Sequence, residues 1–213
     1  MKILVQVLLI SATVFMPSGL AQSTIVFNNF GPNDSYSRAA GAGITFVTSR
    51  VAFPFTPQIT GNLSSVELPL FLTTGFNGAD ILVRMTDPVS RFPGATVELF
   101  AVRGSVREET STDKSPTRYD SSLRPVLTAG TQYWLEVASS QDANLTWYSV
   151  SEPTSTGLGY VSATDGERIQ TFNPPSAFRI TVDVIPEATP QTILLLGAAI
   201  IGFCKKRRAS NER

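Results

Sequence analysis

Between residues 22 and 185 no window carries apolar side chains at i, i+3, i+4 and i+7 through three helical turns, whereas many short stretches alternate with period two. Phe178, Ile180, Val182 and Val184 face one way and Arg179, Thr181 and Asp183 the other, as in a half-buried strand. Val66, Leu68 and Leu70 alternate around Ser65, Glu67 and Pro69, and Tyr133, Leu135 and Val137 alternate with Trp134 and Glu136. Residues 24–28, 50–55, 79–86, 95–103, 145–150, 159–163 and 167–172 add further strand candidates. Groups such as Gly31-Pro32-Asn33-Asp34, Phe92-Pro93-Gly94 and Thr128-Ala129-Gly130 punctuate them with residues that reverse a chain. About ten short strands without a long helix predict an all-β fold, an antiparallel β-sandwich that is jelly-roll-like in strand number. The Ser/Thr-rich, charged stretch 102–122 reads as a solvated, mobile connection between two strands.

Two apolar ends flank this body. Lys2 precedes an apolar run from Ile3 to Phe15, then Pro17 and Gly19-Leu20-Ala21 follow, the layout of a cleaved export signal with the mature chain starting near Gln22. As a helix the run reaches roughly 20 Å, short of a bilayer's hydrocarbon core of about 30 Å. At the other end Val184-Ile185-Pro186-Glu187-Ala188 leads into an apolar stretch from Ile193 to Cys204 and a basic block, Lys205, Lys206, Arg207 and Arg208. The block stops transfer and stays on the cytoplasmic side. The apolar stretch, roughly 18 Å as a helix, spans only marginally, which suits a temporary hold. Three parts follow: signal 1–21, β-sandwich 22–184, and tail 185–213 with a single transmembrane helix.

That tail resembles the PEP-CTERM sorting signal of Gram-negative bacteria: a Pro-Glu-Pro-like motif, a short hydrophobic helix and an Arg-rich end. Pro186-Glu187-Ala188 departs from it at the third position, where the family most often has proline. The resemblance implies recognition by an exosortase, a membrane cysteine transpeptidase that cuts near the motif and passes the ectodomain outward, in an exopolysaccharide or biofilm setting. The body resembles the choice-of-anchor R domain through Asn29-Phe30-Gly31-Pro32, Val51-Ala52-Phe53-Pro54-Phe55-Thr56-Pro57, Leu63 to Leu68, Phe92-Pro93-Gly94-Ala95, Leu127 to Leu135, and Ala177-Phe178-Arg179-Ile180. That likeness implies an extracellular β-sandwich and no catalytic residues.

Composition narrows the chemistry. The chain has no histidine and one cysteine, Cys204, so His-dependent triads, His-ligated zinc and body disulfides are excluded. Glu67, Glu98 and Glu136 are the remaining acid/base candidates, and each occupies a polar position of an alternating strand that reads as the solvent face. Trp147, Tyr148 and Trp134, with Tyr160, are candidate faces for stacking sugar rings. Asn62-Leu63-Ser64 and Asn144-Leu145-Thr146 fit the glycosylation acceptor pattern, which is a weak signal at three residues. Seventeen basic and seventeen acidic residues balance. A product of residues 22–187 loses Lys2, Lys205, Lys206, Arg207, Arg208 and Arg213 against Glu212 alone, so it is acidic and unsuited to nucleic acid.

The expectation is a non-enzymatic surface or matrix protein without cofactor, structural or adhesive. Its partners would be an exosortase, the inner membrane transiently, and exopolysaccharide as a further candidate. Two alternatives stand beside it: a carbohydrate-binding or carbohydrate-hydrolysing sandwich, and a permanently tail-anchored inner-membrane protein.

Overall fold

A computed structural model describes residues 22–45, 50–75, 78–139, 143–151, 157–163, 166–172 and 174–184. The expected signal, Pro186, Glu187 and Ala188, Cys204, and the block Lys205 to Arg208 lie outside the described residues. Fifteen strands are described: β1 (Ser23–Asn28), β2 (Tyr36–Ile44), β3 (Arg50–Phe55), β4 (Gly61–Leu68), β5 (Leu70–Thr74), β6 (Gly78–Thr86), β7 (Pro93–Arg103), β8 (Arg107–Glu108), β9 (Thr117–Asp120), β10 (Val126–Leu127), β11 (Tyr133–Ser139), β12 (Asn144–Val150), β13 (Gly157–Ala163), β14 (Gly166–Phe172) and β15 (Arg179–Val184). The described helical structure is one 3-10 turn, Pro32–Asp34, and no described helix is long and apolar enough to cross a membrane.

These strands form three sheets. One runs β1-β15-β4-β10 with β9 also on β4, the second runs β14-β13-β3-β11-β6-β7, and the third runs β2-β12-β5-β8. Every described pairing is antiparallel except β5 with β8. The first and third sheets abut: Tyr148 N–H donates to Pro69 O at 3.1 Å, Ala177 N–H to Tyr148 O at 2.9 Å, and Val150 N–H to Pro175 O at 2.9 Å. One apolar core joins all three sheets, taking Val66 and Leu68 from β4, Phe53 and Phe55 from β3, Leu135 and Val137 from β11, Trp147 from β12 and Ile180 and Val182 from β15. This is a β-sandwich-like all-β fold.

Local sequence explains much of it. The alternation of Tyr133, Leu135 and Val137 places them in the core, and Val66, Leu68, Ile180 and Val182 do the same on the opposing strands. Gly130 turns the chain at φ 74°, its N–H donating to Pro57 O at 2.9 Å. At Gly61 a Cβ would sit 2.7 Å from Asp183 O, so close contact between β4 and β15 requires glycine. The two ends of the described body lock together: Asn29 Nδ2 donates to Ser176 O at 3.0 Å, and Phe178 N–H donates to Asn29 Oδ1 at 2.6 Å. The Asn29 and Phe178 motifs, far apart in sequence, are thus one structural clamp.

Two expectations need correction. The strand total exceeds ten because β2, β8, β9 and β10 lack the apolar alternation that marks a strand, and because the single alternating stretch through Val66, Leu68 and Leu70 is divided at Pro69 into β4 and β5. The 102–122 stretch is also no bare connection. It carries β8 and β9, and Arg107 donates to Asp113 O and Ser115 O, which organises the segment between them.

Candidate functional site

The three aromatics expected to contact sugar do not converge. Trp147 is 0% exposed, with its Nε1–H donating to Ala177 O at 2.8 Å and its ring against Phe53 and Phe178 at 5.2 and 5.8 Å. Tyr148, next along β12, points to the opposite face, as period two demands, and is buried against Tyr36 and Phe71. Trp134 is buried on the other side of β11 from the main core, beside Ala52 and Tyr160 with Phe92 packed on them. None of the three offers an open face for a sugar ring, which corrects that expectation.

The glutamates require a second correction, because two of them are buried rather than on a solvent face. Glu136 is 0% exposed and bridges Arg84 Nη1 at 2.7 Å and Arg50 Nη1 at 3.5 Å. Glu98 is 1% exposed and accepts from Ser121 Oγ at 2.9 Å and from the Ser122 and Leu123 N–H groups at 3.3 and 3.4 Å. Glu67 pairs with Arg179 Nη1 at 3.1 Å and lies 3.9 Å from Arg118 Nη1. The alternation placed Glu136 on the side away from Leu135 and Val137, but arginines and aromatics cover that side. Each carboxylate is held by donors or cations, an arrangement that fixes strands together.

The ionisable and aromatic groups that do converge surround an open cleft of about 440 Å³. One wall is the turn after Gly31, where Asn33 (φ 56°) and Asp34 (φ 60°) both take the left-handed conformation. Arg179 holds this turn by pairing with Asp34 while its guanidinium lies 5.5 Å from the Phe30 ring centroid. Tyr36 and Arg38 enter from β2, and Lys114, Ser115 and Pro116 close the far side. Arg38 pairs with Glu109 and lies 5.6 Å over the Tyr148 ring. Lys114 Nζ donates to Glu109 O at 2.6 Å, and the Tyr36 hydroxyl donates to Lys114 O at 2.5 Å.

Ionisation is perturbed around this cluster, a feature common at functional sites. Burial raises the Tyr36 phenol against the lowering charges of Arg38 and Arg107. Burial and Glu109 raise Tyr148. Burial also pushes Glu109 upward, but the nearby Tyr148 hydroxyl, the hydrogen bond from Arg38 and the charges of Arg38 and Lys114 leave it below the ordinary carboxylate value. Sequence reading missed the cleft because β2 is small and unpatterned, and because Arg38 and Lys114 meet only through the fold. Among the described residues no group of three or more His, Cys, Asp or Glu is placed to hold a metal ion.

Compared with known proteins, the chain matches no family model, no curated protein and no solved structure.

On β9, burial pushes the Tyr119 phenol up to about 12 against the lowering Arg107 charge, and its buried hydroxyl has no hydrogen-bond partner among the described residues. An unfolded phenol ionises near 10, so above that pH the unfolded state loses its proton first. Stability from this group is complete below pH 10 and is lost as the pH climbs to about 12. Melting temperatures should fall across that window, and Tyr119→Phe should flatten part of the fall. An unchanged alkaline profile in Tyr119→Phe would remove Tyr119 as a source of the effect.

Proposed function

We propose that this is an exported, non-enzymatic surface or matrix protein, sorted by an exosortase and structural or adhesive in an exopolysaccharide setting. In this reading a jelly-roll-like sandwich lies between an N-terminal signal helix and a C-terminal membrane helix that holds the precursor until Pro186-Glu187-Ala188 is cut. The supporting observation is where the strands begin and end. β1 starts at Ser23, β15 ends at Val184, and Val184 N–H donates to Gln22 O at 3.0 Å. Both expected cuts therefore fall just outside the paired backbone, so processing leaves every described ladder intact. The burial of Glu98 and Glu136, and the donors or cations that hold all three carboxylates, Glu67 included, favour a binding or structural role over hydrolysis.

Mass spectrometry of the chain recovered from an exosortase-producing Gram-negative host tests this. The expected termini are Gln22 and a residue near Pro186 to Ala188, with the uncut tail retained when exosortase is deleted. An intact Arg213 in the producing host would overturn sorting and leave the tail-anchored alternative.

A further inference from the structure

We propose that the cleft between the Gly31–Tyr36 turn and the 113–116 segment binds a saccharide chain. It supplies a ligand for the adhesive reading above, yet it is tested by binding alone, so a failure of sorting and a failure of recognition are read separately.

The cleft's volume, about 440 Å³, lies within the range of roughly 300–1,000 Å³ typical of small-molecule sites. It is open at the surface, so a polymer can run through rather than be engulfed. A polyol needs donors and acceptors close together beside an apolar wall for the carbohydrate C–H face. Here the Asn33 amide and the Ser35 and Ser115 hydroxyls supply both kinds of polar group, and Arg38 and Lys114 supply donors. Tyr36 and Pro116 supply the apolar surface.

Charge disfavours a simple anion site. Arg38 is matched by Glu109, Asp34 by Arg179, and Arg107 by Asp113. Lys114 is the exception: its Nζ donates to the Glu109 carbonyl, and among the described residues it has no carboxylate ion pair. The cleft thus offers directional hydrogen bonding with a single ammonium, which suits hydroxyl groups and at most one carboxylate better than phosphate. The site is also held in shape before any ligand arrives. Tyr36 stacks on Tyr148 with centroids 5.9 Å apart, its hydroxyl is tied to Lys114 O, and the Asn33-Asp34 backbone is anchored through Arg179. Such preorganisation lowers the entropy lost on binding.

The experiment uses the full chain in detergent micelles, titrated calorimetrically with dextran and alginate oligosaccharides. Binding of either sugar is expected; a preference for alginate would show Arg38 and Lys114 reading a carboxylate, and equal binding would show recognition through hydroxyl groups. Asn33→Gly, which keeps the left-handed backbone and removes the amide, and Lys114→Ala should each weaken binding about tenfold. Arg103→Ala, on β7 of another sheet, should leave it unchanged. Should Lys114→Ala melt early, acetylation of the unsubstituted chain decides: bound sugar should slow labelling of Lys114 and leave Lys205 and Lys206 unaffected. No binding of either oligosaccharide, equal binding by a folded Asn33→Gly, or unprotected Lys114 would each overturn the proposal.

Discussion

Replacing Trp147 with alanine should cost about 3–5 kcal/mol of stability, the range for emptying a large aromatic site in a packed core. For a chain of this size that corresponds to a fall in melting temperature of roughly 6–20 °C. The side chain is 0% exposed, and its ring contacts Phe53 of β3 and Phe178 just before β15, so the indole of β12 ties its own sheet to the other two. Its Nε1–H also satisfies Ala177 O. Trp147→Phe would keep an apolar ring and abandon that carbonyl, with an expected loss of about 1–3 kcal/mol. Leu123→Ala, at a residue 71% exposed, should change stability by no more than about 0.5 kcal/mol. Thermal unfolding of the three variants should rank them in that order; a Trp147→Ala chain as stable as Leu123→Ala would contradict the core assignment.

Arg84→Ala is expected to have a similar effect for an electrostatic reason. Glu136 is wholly buried, Arg84 is its near partner at 2.7 Å, and Arg50 lies at 3.5 Å with about half its side chain in solvent. Removing Arg84 leaves a buried carboxylate poorly compensated, at about 3–5 kcal/mol, and takes the Nε donor from Gly94 O. The pair itself need not be strongly stabilising, because both charges were desolvated to form it. Arg84→Met combined with Glu136→Leu should therefore recover most of what the single change loses. Chemical denaturation of single and double variants measures this directly. A double variant no better than Arg84→Ala would mean that lost shape, and not the stranded charge, causes the damage.

Much of the sandwich was legible because its strands bury one face. The strand predicted over residues 50–55 is β3 to the residue, where Val51, Phe53 and Phe55 alternate and are branched or aromatic. β2 was not legible: Ala39-Ala40-Gly41-Ala42-Gly43 contains no branched or aromatic side chain to mark a strand. Its small size has a packing cause at Gly41, where a Cβ would approach Trp147 O to 2.9 Å. For Glu136, alternation gives the side of the strand but not what covers that side. Arg84 and Arg50 become its neighbours only once β6 and β3 pair on either side of β11, information that depends on register. The cleft is harder still, since β2, the turn after Gly31 and the 113–116 segment meet only in the assembled fold.

β15 pairs with β1 along one edge and β4 along the other. Under the proposed reading, a tail held in a membrane or grafted to an envelope component would transmit tension to the body at Val184, the end of that inner strand. A pull along that strand loads both ladders in shear, so their hydrogen bonds resist together instead of peeling open singly. In that reading, drag on the exported body would be met first by the backbone grip on β15, and a weak grip there would let shear flow unravel the body before the tether gave way.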